Sequence, residues 1–157
     1  MPTVATIGYE GVSVPQVLDA LRAAGVDLLV DVRAVASSRR PGFSKTALAA
    51  NLAGAGIDYL HLRGLGTPAE GRAAARAGRH DEMRAVFREH LATPTAHTQL
   101  VELAGLVEAG RRVALLCFEA DPAHCHRTLV ADALGALVPV EIAHLRPSTL
   151  APDGAGQ

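Results

Sequence analysis

Cysteine is scarce in this chain, two in 157 residues, and tryptophan is absent. One cysteine pair builds no disulfide framework. None is needed, because a domain of this length buries about 70% of the surface its unfolded chain exposes and holds a core without a structural metal. Both cysteines are therefore expected as thiols. The apolar runs are all broken by Arg or Asp short of the roughly 18 residues that would cross a membrane. The start, Met1 to Glu10, lacks the basic residues and long apolar stretch of a secretory leader. The expectation is a cytoplasmic protein with no membrane partner. Charge of one sign is lacking too: 15 basic against 16 acidic side chains leave a net charge of -1. That balance argues against a broad polyanion-binding face and leaves room for a few arginines gathered in a cleft. There is no internal repeat and no low-complexity tract beyond general alanine richness.

What is present is an alternation of short apolar runs with alanine- and leucine-rich segments of helical period, the pattern of a parallel sheet covered on both faces. Strands are expected at Thr3 to Ile7, Val26 to Val32, Ile57 to Leu62, Val113 to Phe118 and Val140 to His144, each nearly continuously apolar as a doubly covered strand must be. Between the third and fourth strands come Pro68 to Ala77, His80 to Leu91 and Thr95 to Ala109, helical segments with no strand among them, read as a lid or side wall. The fold class is thus α/β, a single-domain, mostly parallel five-stranded sheet with helices on both faces and a helical insertion between strands 3 and 4. It occupies residues 1–146, and the Pro-, Gly- and Ala-rich residues 147–157 are expected to be a disordered tail.

Helix starts are written in side-chain chemistry. Ser13 with Gln16 forms a capping-box pair opening a helix that runs to Gly25. Ser44 is placed to cap the next, with Phe43 packing on Leu48 as a staple. Thr67-Pro68 with Glu70, Thr93-Pro94 and Asp121-Pro122 each place a cap before a proline.

Ligands of open parallel sheets bind beyond the carboxyl ends of the strands, where successive loops converge. In that place the sequence puts Gly8, Tyr9 and Glu10 after the first strand. Arg33, Ser38, Arg39 and Arg40 follow the second, Gly64 and Gly66 the third, and Glu119, His124, Cys125, His126 and Arg127 the fourth. Guanidiniums and hydroxyls of the second group suit an anion such as phosphate. Alternatively, Arg33 pairs with Asp31 or Glu10, and Arg39 and Arg40 are solvated loop residues. Glu10 and Glu119 form a general acid/base pair if their strands are neighbours, or else pair with Arg33 or Arg127. With a helix starting at Pro122, His124, Arg127 and Thr128 share its exposed face while Cys125 joins Leu129, Ala133 and Leu137 on the apolar side.

Cys117, ending the fourth strand, is either a small buried residue or a nucleophile whose thiolate is favoured by nearby arginines and helix amino termini. The layout of strand, Cys, loop, Arg and helix is similar to that of thiol-dependent phosphatases and sulfurtransferases. Cys117 and Arg127 stand too far apart for their short phosphate cradle, however, and the segment between lacks its glycines. A metal is not expected, because adjacent residues such as Cys125 and His126 seldom point at one ion and no C-x-x-C or H-x-x-x-H spacing is present. No cofactor is expected either. His61 is read as a packing residue before a catalyst, and Gly64-Leu65-Gly66-Thr67-Pro68 as a weak phosphate signal.

Taken together, Thr6-Ile7-Gly8-Tyr9-Glu10-Gly11, Val30-Asp31-Val32-Arg33 with Ser38-Arg39, Phe43-Ser44-Lys45, Tyr59-Leu60-His61-Leu62 with Leu65-Gly66-Thr67-Pro68, and Cys117-x-Glu119 followed by His124-Cys125-His126-Arg127 resemble the motifs of domain-of-unknown-function family 488. The resemblance reaches to about His144. It implies a compact bacterial or archaeal α/β domain whose characteristic polar residues are those on the carboxyl edge, and it implies no particular reaction. Many members carry His-Ser or His-Ser-Asn where this chain has Tyr9-Glu10. The functional expectation is a phosphate-bearing ligand, a nucleotide or nucleic-acid end, held by Arg33, Ser38, Arg39 and Arg127 with Gly8 and Tyr9 beside it, and processed by Glu119, Cys117, Glu10 or His124. The alternatives are a binding module without chemistry and an interaction protein whose polar cluster is an internal ion-pair network.

Overall fold

A computed structural model describes residues 1–147 of the chain. Of the expected disordered tail, all but Pro147 lies outside the described residues. The elements follow in the order β1 (Thr3–Gly8), α1 (Val14–Ala23), β2 (Leu28–Asp31), α2 (Lys45–Gly54), β3 (Asp58–His61), α3 (Ala69–Arg76), α4 (His80–Leu91), α5 (Pro94–Glu108), β4 (Val113–Cys117), α6 (His126–Leu137) and β5 (Glu141–His144). The five strands form one all-parallel sheet in the order β3-β2-β4-β1-β5.

The inner strands β1, β2 and β4 bury both faces, so each splits its residues by period two between two cores, whereas the edge strands β3 and β5 are only partly covered, which corrects the expectation that all five are doubly buried. Val4, Leu28, Val30, Val113 and Leu115 join α4, α5 and α6 through Phe87, Leu103 and Leu134. Ala5, Ile7, Leu29, Ala114 and Leu116 join α1 and α2 through Leu21, Leu48 and Leu52. The crossovers from β1 and β4 therefore leave on opposite faces of the sheet although the two strands are paired. Their carboxyl ends form the switch point at which open α/β sheets make a crevice.

Ser13 forms the full capping box with Gln16, and Thr93 caps α5 through the Ala96 amide. Two expected caps are corrected. Ser44 precedes α2 but makes no cap bond, because its hydroxyl is spent on the Ser38 backbone. Helix α3 begins after Pro68 with no side-chain cap, and Thr67 is buried instead. Asp121 accepts from the Ala123 amide, but the segment it caps is a single 3-10 turn, Pro122–His124, after which the chain extends at Cys125 and α6 starts at His126.

Candidate functional site

Beyond the ends of β1, β2 and β4 lies a cavity of about 490 Å³. It is floored by strand-end residues and walled on one side by the inserted helices α3 and α4. Tyr9, Glu10, Arg33, Cys117, Phe118, Glu119, His124 and His126 reach it from the sheet edge, and Arg72, Arg76, His80 and Met83 from the insertion. The insertion thus serves as the side wall expected of it. Phe118 and Val35 stand at the cavity with 41% and 51% of their surfaces exposed, apolar surface beside the ionisable side chains.

Arg33 lines this cavity, but its hydrogen bonds are already made. Asp31 is the last residue of β2 and Arg33 follows two residues later, near enough for its guanidinium to fold back on the carboxylate. The guanidinium grips the Asp31 carboxylate through Nε at 2.9 Å and Nη2 at 2.7 Å, and Nη1 donates to the Tyr9 hydroxyl at 3.1 Å and the Phe43 carbonyl at 2.8 Å. Asp31 also accepts from the Tyr59 hydroxyl at 2.6 Å and the Arg33 amide. Burial works against the Arg33 charge, yet Asp31 outweighs it and holds the pKa above its ordinary value. Burial and the Asp31 bond likewise push Tyr59 up. Four donors satisfied by the protein make Arg33 a brace between β2, β1 and the loop before α2, in line with the alternative in which it pairs with Asp31.

Ser38, Arg39 and Arg40 do not line the cavity. Ser38 closes a turn with Ser44, Arg39 is exposed, and Arg40 donates to the carbonyls of Tyr9 and Val12 while lying over the Phe43 ring. Tyr9 is buried between Phe43, stacked at 4.5 Å, and Phe118, edge-on at 5.3 Å, and forms a fixed wall. His61 donates to the Arg33 carbonyl, which fits the packing role. The glycines after β3 are also spent on packing. The Gly64 amide donates to Gln99 at 2.6 Å, and a Cβ on Gly66 would stand 2.3 Å from Ala34 backbone atoms.

Arg127 departs furthest from expectation. Spacing along a continuous helix puts it on an exposed face; in the structure it is completely buried. The 3-10 turn and the extended Cys125 reset the helical phase, so Arg127 is the second residue of α6 rather than a residue of its second turn. Its Nη1 donates to the Glu119 carbonyl at 2.5 Å and to Cys117 Sγ at 3.3 Å, and Nη2 to the Ala120 carbonyl, while Nε has no partner among the described residues. With no carboxylate in contact, burial lowers its pKa to about 10. Gly8 makes this junction possible: it pairs with Cys117, and a Cβ there would lie 1.8 Å from the Glu119 carbonyl oxygen.

The same reset brings Cys125 back to the end of β4, where it is joined to Cys117 by a disulfide. Two thiols were expected, and the expectation fails because spacing along a continuous helix does not foresee the turn. Glu119 is half-buried and lines the cavity with Glu10, and burial raises its pKa, with the Glu10 charge adding to the effect. The two carboxylates do come from paired strands. Glu10 accepts the Ala120 amide at 3.0 Å and forms no ion pair with Arg33 or Arg127. His124 stacks on His80, ring centroids 4.1 Å apart, linking the sheet edge to α4.

Arg72 and Arg76 were not singled out in the sequence. They lie four apart on α3, hence on one face, and none of the ion pairs among the described residues includes either. Arg72 donates to the Thr67 carbonyl at 2.9 Å, and Arg76 is exposed. Their spacing in a helix predicted to wall the cleft was the available signal.

Residues 13–134 match the model of a family described as Domain of unknown function DUF488. No curated protein and no solved structure matches the chain. Among the described residues, no helix is long and apolar enough to cross a membrane.

Proposed function

Since the chain belongs to the DUF488 family, and that membership names no reaction, we propose from the cavity itself that the protein binds a phosphate-bearing ligand, a nucleotide or the terminal nucleotide of a nucleic acid, and acts on it at the carboxyl edge of the sheet. One observation carries the reading: Arg72 and Arg76, in no ion pair among the described residues, line a cavity whose other wall holds Glu10 and Glu119. Two planar forks on one helical face match the paired oxygens of a phosphate. The exposed face of Phe118 beside Val35 offers an apolar seat for a base, and about 490 Å³ falls within the usual range for small-molecule sites. Glu119 and Glu10 are the groups placed to move a proton.

Titration calorimetry with pyrophosphate, nucleoside monophosphates and a 5′-phosphorylated oligonucleotide tests this. Wild-type protein binds at least one of them, and Arg72→Ala and Arg76→Ala each weaken binding about 10- to 150-fold, the effect of losing a charge-assisted hydrogen bond worth about 1.5–3 kcal/mol. Arg39→Ala binds as wild type. No binding across the panel, or equal loss in the Arg39 variant, overturns the reading. The oligonucleotide arm separates a free nucleotide from a nucleic-acid end. Turnover that survives in both Glu10→Gln and Glu119→Gln removes these carboxylates from the chemistry, and binding without turnover leaves a sensing module.

A further inference from the structure

We propose that Cys117, Cys125 and His126, once the cysteines are reduced, form a site for a thiophilic divalent cation of the zinc class, with the remaining coordination position supplied from the cavity. The two Sγ atoms and a ring nitrogen of His126 lie within 4.8 Å of one another, and all three residues are buried. The tautomer is fixed by a neighbour: His126 Nε2 is 2.6 Å from the Val32 carbonyl oxygen, which only accepts, so Nε2 carries the proton and Nδ1 keeps a lone pair. That Nδ1 stands 3.8 Å from Cys125 Sγ. Donors bound at about 2.3 and 2.0 Å to one tetrahedral ion stand roughly 3.5 Å apart, so the adjacent Cys125-His126 pair, set aside on spacing alone, does converge. A backbone carbonyl orienting the far ring nitrogen is also the usual support of a metal-bound histidine.

The sulfurs have donors aimed at them. The Arg127 amide is 3.4 Å from Cys125 Sγ, and Arg127 Nη1 is 3.3 Å from Cys117 Sγ. Both contacts make the sulfurs acceptors, with lone pairs directed to neighbours inside the cluster. Two thiolates and an imidazole select zinc-like ions over magnesium or calcium. Cys117 and His126 line the cavity, so three protein ligands leave a position that faces it, the arrangement of an open rather than a closed site. In balance, a dithiol or phosphine reductant gives two electrons to the disulfide, the S–S bond breaks, and two protons complete two thiols. The cation then displaces those two protons to solvent. The inference is independent of the phosphate reading, because the ion alone is the probe.

Full-length protein reduced under argon and titrated with cobalt(II) is the test. The expected result is one equivalent bound, with sulfur-to-cobalt charge-transfer absorption in the near ultraviolet, intense tetrahedral d–d bands in the visible, and displacement of both by zinc(II). Cys125→Ser and His126→Ala should each weaken zinc binding at least 10-fold. Absence of the charge-transfer band in reduced wild-type protein overturns the inference without reference to how any variant folds. So does zinc binding that is unchanged in both variants when circular dichroism shows them folded.

Discussion

Replacing Arg33 by Ala is expected to destabilise the protein by about 3–5 kcal/mol, the usual consequence of stranding one partner of a buried ion pair. Asp31 is fully buried and Arg33 nearly so, at 0% and 6% side-chain exposure, so water does not replace the lost guanidinium. Among the described residues, the Tyr59 hydroxyl and one amide would remain as donors to a carboxylate in the core. The Tyr9 hydroxyl and the Phe43 carbonyl lose a partner at the same stroke. Urea unfolding reads the change as a lower midpoint at unchanged slope. The double variant Asp31→Ala/Arg33→Ala loses less than the sum of the two single changes, since no charge is left behind, and the shortfall measures the coupling between the pair. Near-equality of Arg33→Ala with wild type would mean that the brace does not hold β2, Tyr9 and the loop before α2 together.

Gly8→Ala is the second change with a large expected effect, for a different reason. The added methyl would meet the Glu119 carbonyl oxygen at 1.8 Å, its carbon at 2.6 Å and Arg127 Nη1 at 3.1 Å. The first two are backbone atoms and do not swing aside, so the segment after β4 moves. Overpacking of this kind costs about 1–3 kcal/mol or more. The displaced carbonyl is also the one that receives Arg127, so a buried guanidinium loses a ligand and Glu119 leaves its place in the cavity. Gly11→Ala is the matched control. Its φ of 76° strains an alanine, but nothing lies within 4 Å of the new Cβ, so its cost is conformational and local. Urea midpoints and ligand affinity should both fall in the Gly8 variant, and affinity should hold in the Gly11 variant. Equal behaviour of the two would remove Gly8 from the architecture of the site.

The sheet was legible because its information is local. Apolar runs mark doubly buried strands, and a pair such as Ser13 and Gln16 marks a helix start, whatever the rest of the chain does. The site was legible only as a neighbourhood. The pairing of Arg33 with Asp31, two residues earlier, is legible at short range. Tyr9 and Phe43, which complete its hydrogen bonds, come from distant segments and leave no local mark. Spacing from Pro122 misplaces Arg127, because Pro122–His124 forms a single tight turn and the chain extends at Cys125 before α6 begins. Each helical offset counted from Pro122 is therefore wrong beyond the turn. Arg72 and Arg76 went unread, although four-residue spacing in a helix expected to wall the cleft gave them one face.

On the proposed reading the anionic end of the ligand is received by α3 and not by the loop after β2. A crystal of the protein soaked with pyrophosphate distinguishes the two. The expected result is a phosphate group within hydrogen-bond distance of Arg72 and Arg76, with Glu119 in the same cavity. Pyrophosphate bound at Ser38 and Arg39, with the cavity beside α3 empty, would contradict it.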